Sequence, residues 1–138
     1  MKIAITGAGK QSFLSNAHRD LRAGKRIRAV SDVWACNTYV SDLVRRIVDI
    51  LTRGRHGTYH AVNEGVCSNY EFALEVGCLV GLSGGRLKEL VEPIKEAETK
   101  RLAPRPRYTP MGCLLSEEIS LPPVRDWRSA LADYVQKN

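Results

Sequence analysis

A strand that runs into an incomplete glycine turn is the tightest constraint on this fold. Lys2-Ile3-Ala4-Ile5-Thr6 reads as a short strand and passes directly into Gly7-Ala8-Gly9. A strand followed by Gly-x-Gly is how a phosphate-binding turn opens, because glycines let the backbone close on a pyrophosphate at a helix N-terminus. The continuation departs from that pattern. Lys10-Gln11-Ser12-Phe13 completes neither G-x-G-x-x-G nor G-x-x-G-x-x-G, and Lys10 and Phe13 carry side chains where close approach needs none. No strand-terminal acid follows at roughly 20 residues further on, where a ribose would be held; Asp32 is the nearest candidate and lies in a different kind of segment. A chain of 138 residues also lacks room for a doubly wound sheet plus a substrate region, which together take roughly 200 residues or more.

Beyond the turn, hydrophobic periodicity alternates between helix and strand. Phe13, Leu14, Ala17 and Leu21 lie on one side of a helix that Gly24 stops. Ile27-Arg28-Ala29-Val30 alternates like a strand, and Asp32 to Thr38 is polar and aromatic, a loop composition. Val40, Leu43, Val44, Ile47, Val48, Ile50 and Leu51 mark a strongly amphipathic helix ending near Gly54. Thr58 to Val62 reads as a strand closed by the turn Asn63-Glu64-Gly65. Ser68-Asn69-Tyr70-Glu71 is a capping box that opens a helix through Phe72, Ala73, Val76, Leu79 and Val80, ended by Gly81 to Gly85. Val91-Glu92-Pro93-Ile94 suits an edge strand, since Pro lacks a ladder donor. Pro104, Pro106 and Pro110 hold an extended path, Cys113 to Ile119 allows one or two helical turns, and Trp127, Leu131, Tyr134 and Val135 share the face of a final helix. The expected class is α/β or α+β, with short strands and four to five helices.

Composition narrows the chemistry. With 43% hydrophobic and 26% charged residues the chain can bury a core, and no apolar run approaches the roughly 20 residues that cross a bilayer. The opening residues turn polar too soon for an export signal, so a cytoplasmic chain with free thiols is expected. A net charge of +6 favours anionic partners but is spread over short groups such as Arg45-Arg46 and Arg105-Pro106-Arg107. Cys36, Cys67, Cys78 and Cys113 form no C-x-x-C pair, and His18, His56 and His60 are scattered, so neither a metal site nor a catalytic base is indicated. Nucleic-acid binding would rest on charge alone, with no recognition motif behind it.

From Ser12 onward the order of segments resembles the C-terminal part of the dTDP-4-dehydrorhamnose reductase family, which are extended short-chain dehydrogenases. Asp32-Val33-Trp34-Ala35-Cys36-Asn37-Thr38-Tyr39-Val40-Ser41-Asp42-Leu43 is similar to that family's Asp-Gln-Trp-Gly-x-Pro-Thr-Tyr-x-x-Asp-Leu stretch. Gly57 to Gly65 followed by Tyr70-Glu71-Phe72-Ala73, then Val91 to Ile94, Arg105 to Thr109 and Trp127 to Leu131 continue the series, and Met1 to Gly9 separately resembles the family's opening strand and turn. Three positions depart from the stretch: Val33 stands for Gln, Ala35 for Gly and Asn37 for Pro.

The resemblance implies a partial remnant of a Rossmann-type reductase: residues 1–11 as what is left of the first strand and glycine turn, and residues 12–138 as a substrate-binding lobe. The family's long intervening stretch, with most of the dinucleotide-binding sheet and the catalytic Tyr-x-x-x-Lys, has no counterpart. Four residues after Tyr39, Tyr59, Tyr70, Tyr108 and Tyr134 come Leu43, Asn63, Leu74, Gly112 and Asn138, so no Lys stands one turn from a phenol. The expectation is a chain that does not turn over alone, with no catalytic residues and no cofactor, although the family uses NADPH; Gly7 and Gly9 are a non-functional remnant of its site.

Residues expected at the substrate are Trp34, Thr38, Tyr39, Asn63, Arg105 and Arg107. Trp34 reads equally as a ring stacked on substrate or as a core filler. Arg105 and Arg107 read as diphosphate ligands or as surface charges among prolines, and Asn63 and Glu64 as turn residues as well. The expected partners are a dTDP-sugar and either a full-length reductase or a second copy joined through an exposed apolar face; neither membrane nor nucleic acid is expected. The readings left open are a truncated reductase-like protein, a non-catalytic nucleotide-sugar-binding or reductase-partner module, and a remnant with no activity.

Overall fold

The structure, a computed structural model, describes residues 13–54, 56–99, 103 and 105–138. The expected strand Lys2 to Thr6, Gly7 and Gly9 lie outside the described residues. Helix α1 spans Phe13–Arg22 and ends as its sequence indicates. Gly24 takes φ +67°, with Gly24 N–H donating to Leu21 O at 3.0 Å and Lys25 N–H to Asp20 O at 2.8 Å, the paired bonds of a helix end that turns left-handed. Strand β1 (Ile27–Val30) follows, then β2 (Trp34–Ala35), α2 (Val40–Thr52), β3 (Cys67–Ser68) and α3 (Asn69–Leu79). The chain continues through α4 (Gly84–Leu90), β4 (Val91–Ile94), a 3-10 turn (Glu96–Thr99), β5 (Tyr108–Thr109), α5 (Leu114–Glu118) and α6 (Trp127–Lys137).

Two small sheets result. β1 and β4 pair in parallel from Ile27 opposite Val91 to Val30 opposite Ile94. Among the described residues both are edge strands, a setting in which Pro93 is tolerated opposite Ala29. The second sheet has the order β3-β2-β5, antiparallel between β2 and β3 and parallel between β2 and β5. The core lies between the β1–β4 pair and α1, α3 and α6. Leu21, Ala29, Phe72, Ala73, Val76, Val91, Trp127 and Leu131 meet there, with the Phe72 and Trp127 rings stacked at 5.7 Å. Each large apolar side chain so buried stabilises the fold by about 1.5–3 kcal/mol.

The capping box is formed: Ser68 Oγ accepts from Glu71 N–H at 3.1 Å, and Glu71 Oε2 accepts from Ser68 N–H at 2.7 Å. Asp126 caps α6 in the same sense, accepting from Arg128 N–H at 2.8 Å.

Three expectations are corrected. The described residues contain six α-helices rather than four to five, because Gly84 and Gly85 open a new helix, α4, instead of only ending α3. Thr58 to Val62 forms no ladder: a strand needs a neighbouring backbone, and pairing begins only at Glu64, bridged in parallel to Asp126. The Asp32–Thr38 stretch contains a strand, β2, at the centre of the second sheet.

Candidate functional site

β2 holds Trp34 between two strands. Trp34 N–H donates to Arg107 O at 2.8 Å, Trp34 O accepts from Thr109 Oγ1 at 3.3 Å, and Trp34 lies in register with Tyr108. Registered neighbours on adjacent strands share a sheet face. Two aromatic residues, half-buried Trp34 and exposed Tyr108, therefore stand on one face, while exposed Arg107 meets Trp34 through its carbonyl and exposed Arg105 lies two residues back.

Two residues further along, the same strands lead to Cys36 and Met111, whose N–H donates to Cys36 Sγ at 3.4 Å. Both line a cavity of about 560 Å³ that is closed by Asn63–Val66, Gly112–Cys113, Ser116–Glu117 and Leu121–Val124. Its polar lining is mixed in sign, with Arg46 against Glu64, Glu117 and Asp126, and includes His60. Burial pushes the Cys113 thiol upward, but hydrogen bonds from Ser116, from the His60 N–H at 3.2 Å and from the Leu115 N–H outweigh it and leave the pKa below that of an ordinary thiol. Cys67 goes the other way: burial raises its thiol to about 12 despite the Asn37 amide donating to Sγ at 2.9 Å.

Behind the cavity lies a buried polar hub. The Asn63 side chain is fully buried. Its Oδ1 accepts from Tyr39 N–H at 2.7 Å, and its Nδ2 donates to Asp42 Oδ2 at 2.8 Å and to Arg125 O at 3.0 Å. Arg125 Nε donates to the same Asp42 oxygen at 2.8 Å and Nη1 to Asp133 Oδ2 at 2.6 Å. The hydrogen bonds to Asp42 and Asp133 raise the Arg125 pKa further, and the guanidinium holds the Asp133 carboxyl below its usual range. The Arg125 guanidinium also sits 5.9 Å from the Tyr39 ring centroid, and that ring meets Tyr134 edge-on at 6.3 Å. Nearby, buried Arg46 donates to Pro122 O. The hub ties the loop after β2, the turn at Asn63 and the start of α6 into one unit.

The expected substrate residues thus fall into two groups. Trp34 and Arg107 meet through a backbone hydrogen bond at the β2–β5 edge, and exposed Arg105 lies two residues earlier in the chain. Tyr39 and Asn63 belong to the hub, with half-buried Thr38 on the loop between. Asn63 has no exposed surface and makes its amide hydrogen bonds within the chain. The sequence reading missed Asp42, Arg125, Tyr108 and the cavity thiols Cys36 and Cys113. Asp42 does lie inside the Tyr-x-x-Asp-Leu stretch, which was the one available signal.

The described residues do not fit a nicotinamide dinucleotide. Neither described sheet has more than two strands in parallel, β1 runs into Ser31-Asp32 without a glycine turn, and Asp32 Oδ1 is engaged by Glu96 N–H at 2.8 Å. The described residues also contain no group of three or more His, Cys, Asp or Glu able to hold a metal, and no helix long and apolar enough to cross a membrane.

The fold agrees with comparisons to known proteins. The chain matches the family described as RmlD substrate binding domain over residues 4–138. It is 36% identical over 126 residues to a probable dTDP-4,6-dihydroxy-2-methyloxan-3-one 4-ketoreductase of Streptomyces antibioticus, covering 91% of this chain and 41% of that protein. It is 34% identical over 130 residues to the dTDP-4-dehydrorhamnose reductase of Mycolicibacterium smegmatis, covering 94% and 38%. A crystal structure of dTDP-4-dehydrorhamnose reductase from Bacillus anthracis in complex with NADP shares the fold, with a TM-score of 0.82 at 24% identity over 94% of this chain and 44% of that one. The chain spans about two fifths of the length of the curated relatives it matches. With that match over nearly its whole length, the chain belongs to the RmlD substrate binding domain family, the family of the dTDP-4-dehydrorhamnose reductases.

Proposed function

We propose that this chain binds a dTDP-linked 4-keto-6-deoxysugar at the β2–β5 edge and the adjoining cavity, and that it does not reduce that sugar on its own. The observation that carries the reading is the registration of Trp34 with Tyr108 beside Arg107. Aromatic faces suit a pyrimidine ring, and a guanidinium pairs with a diphosphate through two parallel hydrogen bonds. The cavity, two residues away along the same strands, has the volume and the polar lining to take a sugar. Relatives named as dTDP-sugar reductases support the ligand class.

The absence of turnover rests on the phenols. A ketone is reduced when hydride reaches carbon while an acid protonates oxygen, and no Tyr in this sequence has a Lys four residues on to lower its pKa. Residues 1–11 are read as a remnant of the dinucleotide turn and residues 12–138 as the substrate-binding lobe.

Calorimetric titration with dTDP and with a dTDP-4-keto sugar tests this. Saturable heat is expected, lost in Trp34→Ala and weakened in Arg105→Ala/Arg107→Ala, with no NADPH consumption in any mixture. Absence of heat at millimolar ligand, or NADPH-dependent reduction by the purified chain, overturns the proposal.

A further inference from the structure

Arg46 holds a buried donor that the chain itself does not satisfy. Helix α2 leaves the residue only 6% exposed, and its Nη2 donates to Pro122 O. Its Nη1 is buried as well and has no hydrogen-bond partner among the described residues. Asp42, one turn earlier on the same helix, is taken by Arg45 and Arg125. His18, Arg125 and Trp127 also carry a buried nitrogen without a partner, but none of the three lines the cavity. Arg46 does, and so does Pro122, whose carbonyl fixes one side of the guanidinium in the wall. A guanidinium has donors and no acceptor, and a buried charged donor is costly to leave unmet. The spare N–H of Arg46 therefore calls for an acceptor that enters the cavity.

The rest of the wall restricts what that acceptor can be. Glu64, Glu117 and Asp126 set three carboxylates against the one guanidinium. A phosphate or a carboxylate entering there would meet more repulsion than attraction. A neutral ligand rich in hydroxyls fits instead. Asp126 is committed to the cap of α6, but Glu64 and Glu117 are exposed, and each can accept from a hydroxyl. Val62, Leu121 and Val124 supply an apolar wall for the carbon skeleton of such a ligand.

We propose that Arg46 is the specificity-determining residue of the cavity, its Nη1–H donating to an oxygen of the sugar while Glu64 and Glu117 accept from the sugar's hydroxyls. The same carboxylates keep the diphosphate outside, at the β2–β5 edge, so the ligand enters sugar first. The inference rests on the reading of that edge as a dTDP site, and it adds which end of the ligand the cavity selects and by what chemistry. A nucleotide that carries no sugar gains nothing from Arg46, Glu64 or Glu117.

The test compares two ligands on one protein. Calorimetric affinities for dTDP and for a dTDP-4-keto-6-deoxysugar are measured on the parent chain, on Arg46→Gln and on the double variant Glu64→Gln/Glu117→Gln, with the thermal transition of each as a control for folding. The parent is expected to bind the sugar nucleotide more tightly than dTDP. Arg46→Gln is expected to lose about tenfold or more of that margin while its affinity for dTDP stays as in the parent. The double variant, changed only at exposed positions, is expected to lose margin in the same sense, and it decides alone if Arg46→Gln melts early. Three results overturn the inference: equal affinity of the parent for the two ligands, a margin that survives in the folded variants, or a loss shared equally by dTDP. Competition of inorganic phosphate with the sugar nucleotide but not with dTDP also overturns it, by giving Arg46 to an anion. Absence of heat with dTDP itself would remove the edge reading as well, whereas dTDP binding without a margin for the sugar removes this inference alone.

Discussion

The amide of Asn63 connects three segments far apart in sequence: Tyr39 and Asp42, the residues beyond it, and the carbonyl of Arg125. Replacing it by Ala removes all three bonds and leaves Asp42, whose side chain is 4% exposed, supported by Arg125 and a long contact from Arg45. Stranding buried polar groups costs about 1–3 kcal/mol each, and urea denaturation of Asn63→Ala is expected to show a loss of about 3 kcal/mol; a loss below about 1 kcal/mol would remove the hub from the account. The turn Asn63-Glu64-Gly65 was legible locally, but the partners of its amide were not, because they lie 21, 24 and 62 residues away.

His18 gives the residue scale its pH dependence. Burial, and then the Arg22 charge, lower its pKa beneath 6.5. The folded state therefore binds fewer protons than the unfolded state as pH falls through about 6.5, and stability declines below that point until the lowered folded pKa is reached. Thermal midpoints are expected to drop between pH 7.5 and pH 5, less steeply in His18→Gln. An identical slope in the variant would assign that dependence to other groups. Asp133, held low by Arg125, acts in the same direction at lower pH, with stability present above its unfolded value of 3.8 and lost in stronger acid.

At the scale of elements, periodicity identified α1, α2, α3 and α6, and the capping box placed the start of α3 at its observed position. What it did not reveal was which side of α2 faces inward. A hydrophobic stripe names a face, whereas burial here follows Asp42 and Arg46, whose partners come from other segments. β2, β3 and β5 are two residues each, too short for alternation to register. Gly65 shows how one turn fixes a wall of the site. Its φ of +86° suits glycine, and a Cβ there would lie 2.7 Å from Trp127 Cδ1 and 2.9 Å from Asp126 Oδ2. Gly65→Ala is expected to lower stability by about 1–3 kcal/mol in chemical denaturation, by overpacking and by backbone strain together. A neutral result would mean that Trp127 moves freely aside.

For the whole molecule, the α/β class and the family were legible because ordered motifs survive over nearly the full length even where single positions have changed. Of the residues expected at the substrate, Trp34 and Arg107 meet through a backbone hydrogen bond at the β2–β5 edge, and Tyr39 and Asn63 join the buried hub, whose long-range partners no local pattern announces. The central claim, ligand binding at the β2–β5 edge, is tested most directly by tryptophan fluorescence. The chain has two Trp residues: Trp127 is buried in the core at 2% exposure, and Trp34 is half-buried at the edge. Titration with dTDP is predicted to change the emission saturably in the parent chain and to leave Trp34→Phe, in which Trp127 is the sole indole, unchanged. An equal response in both proteins, or none in either at millimolar dTDP, would contradict it.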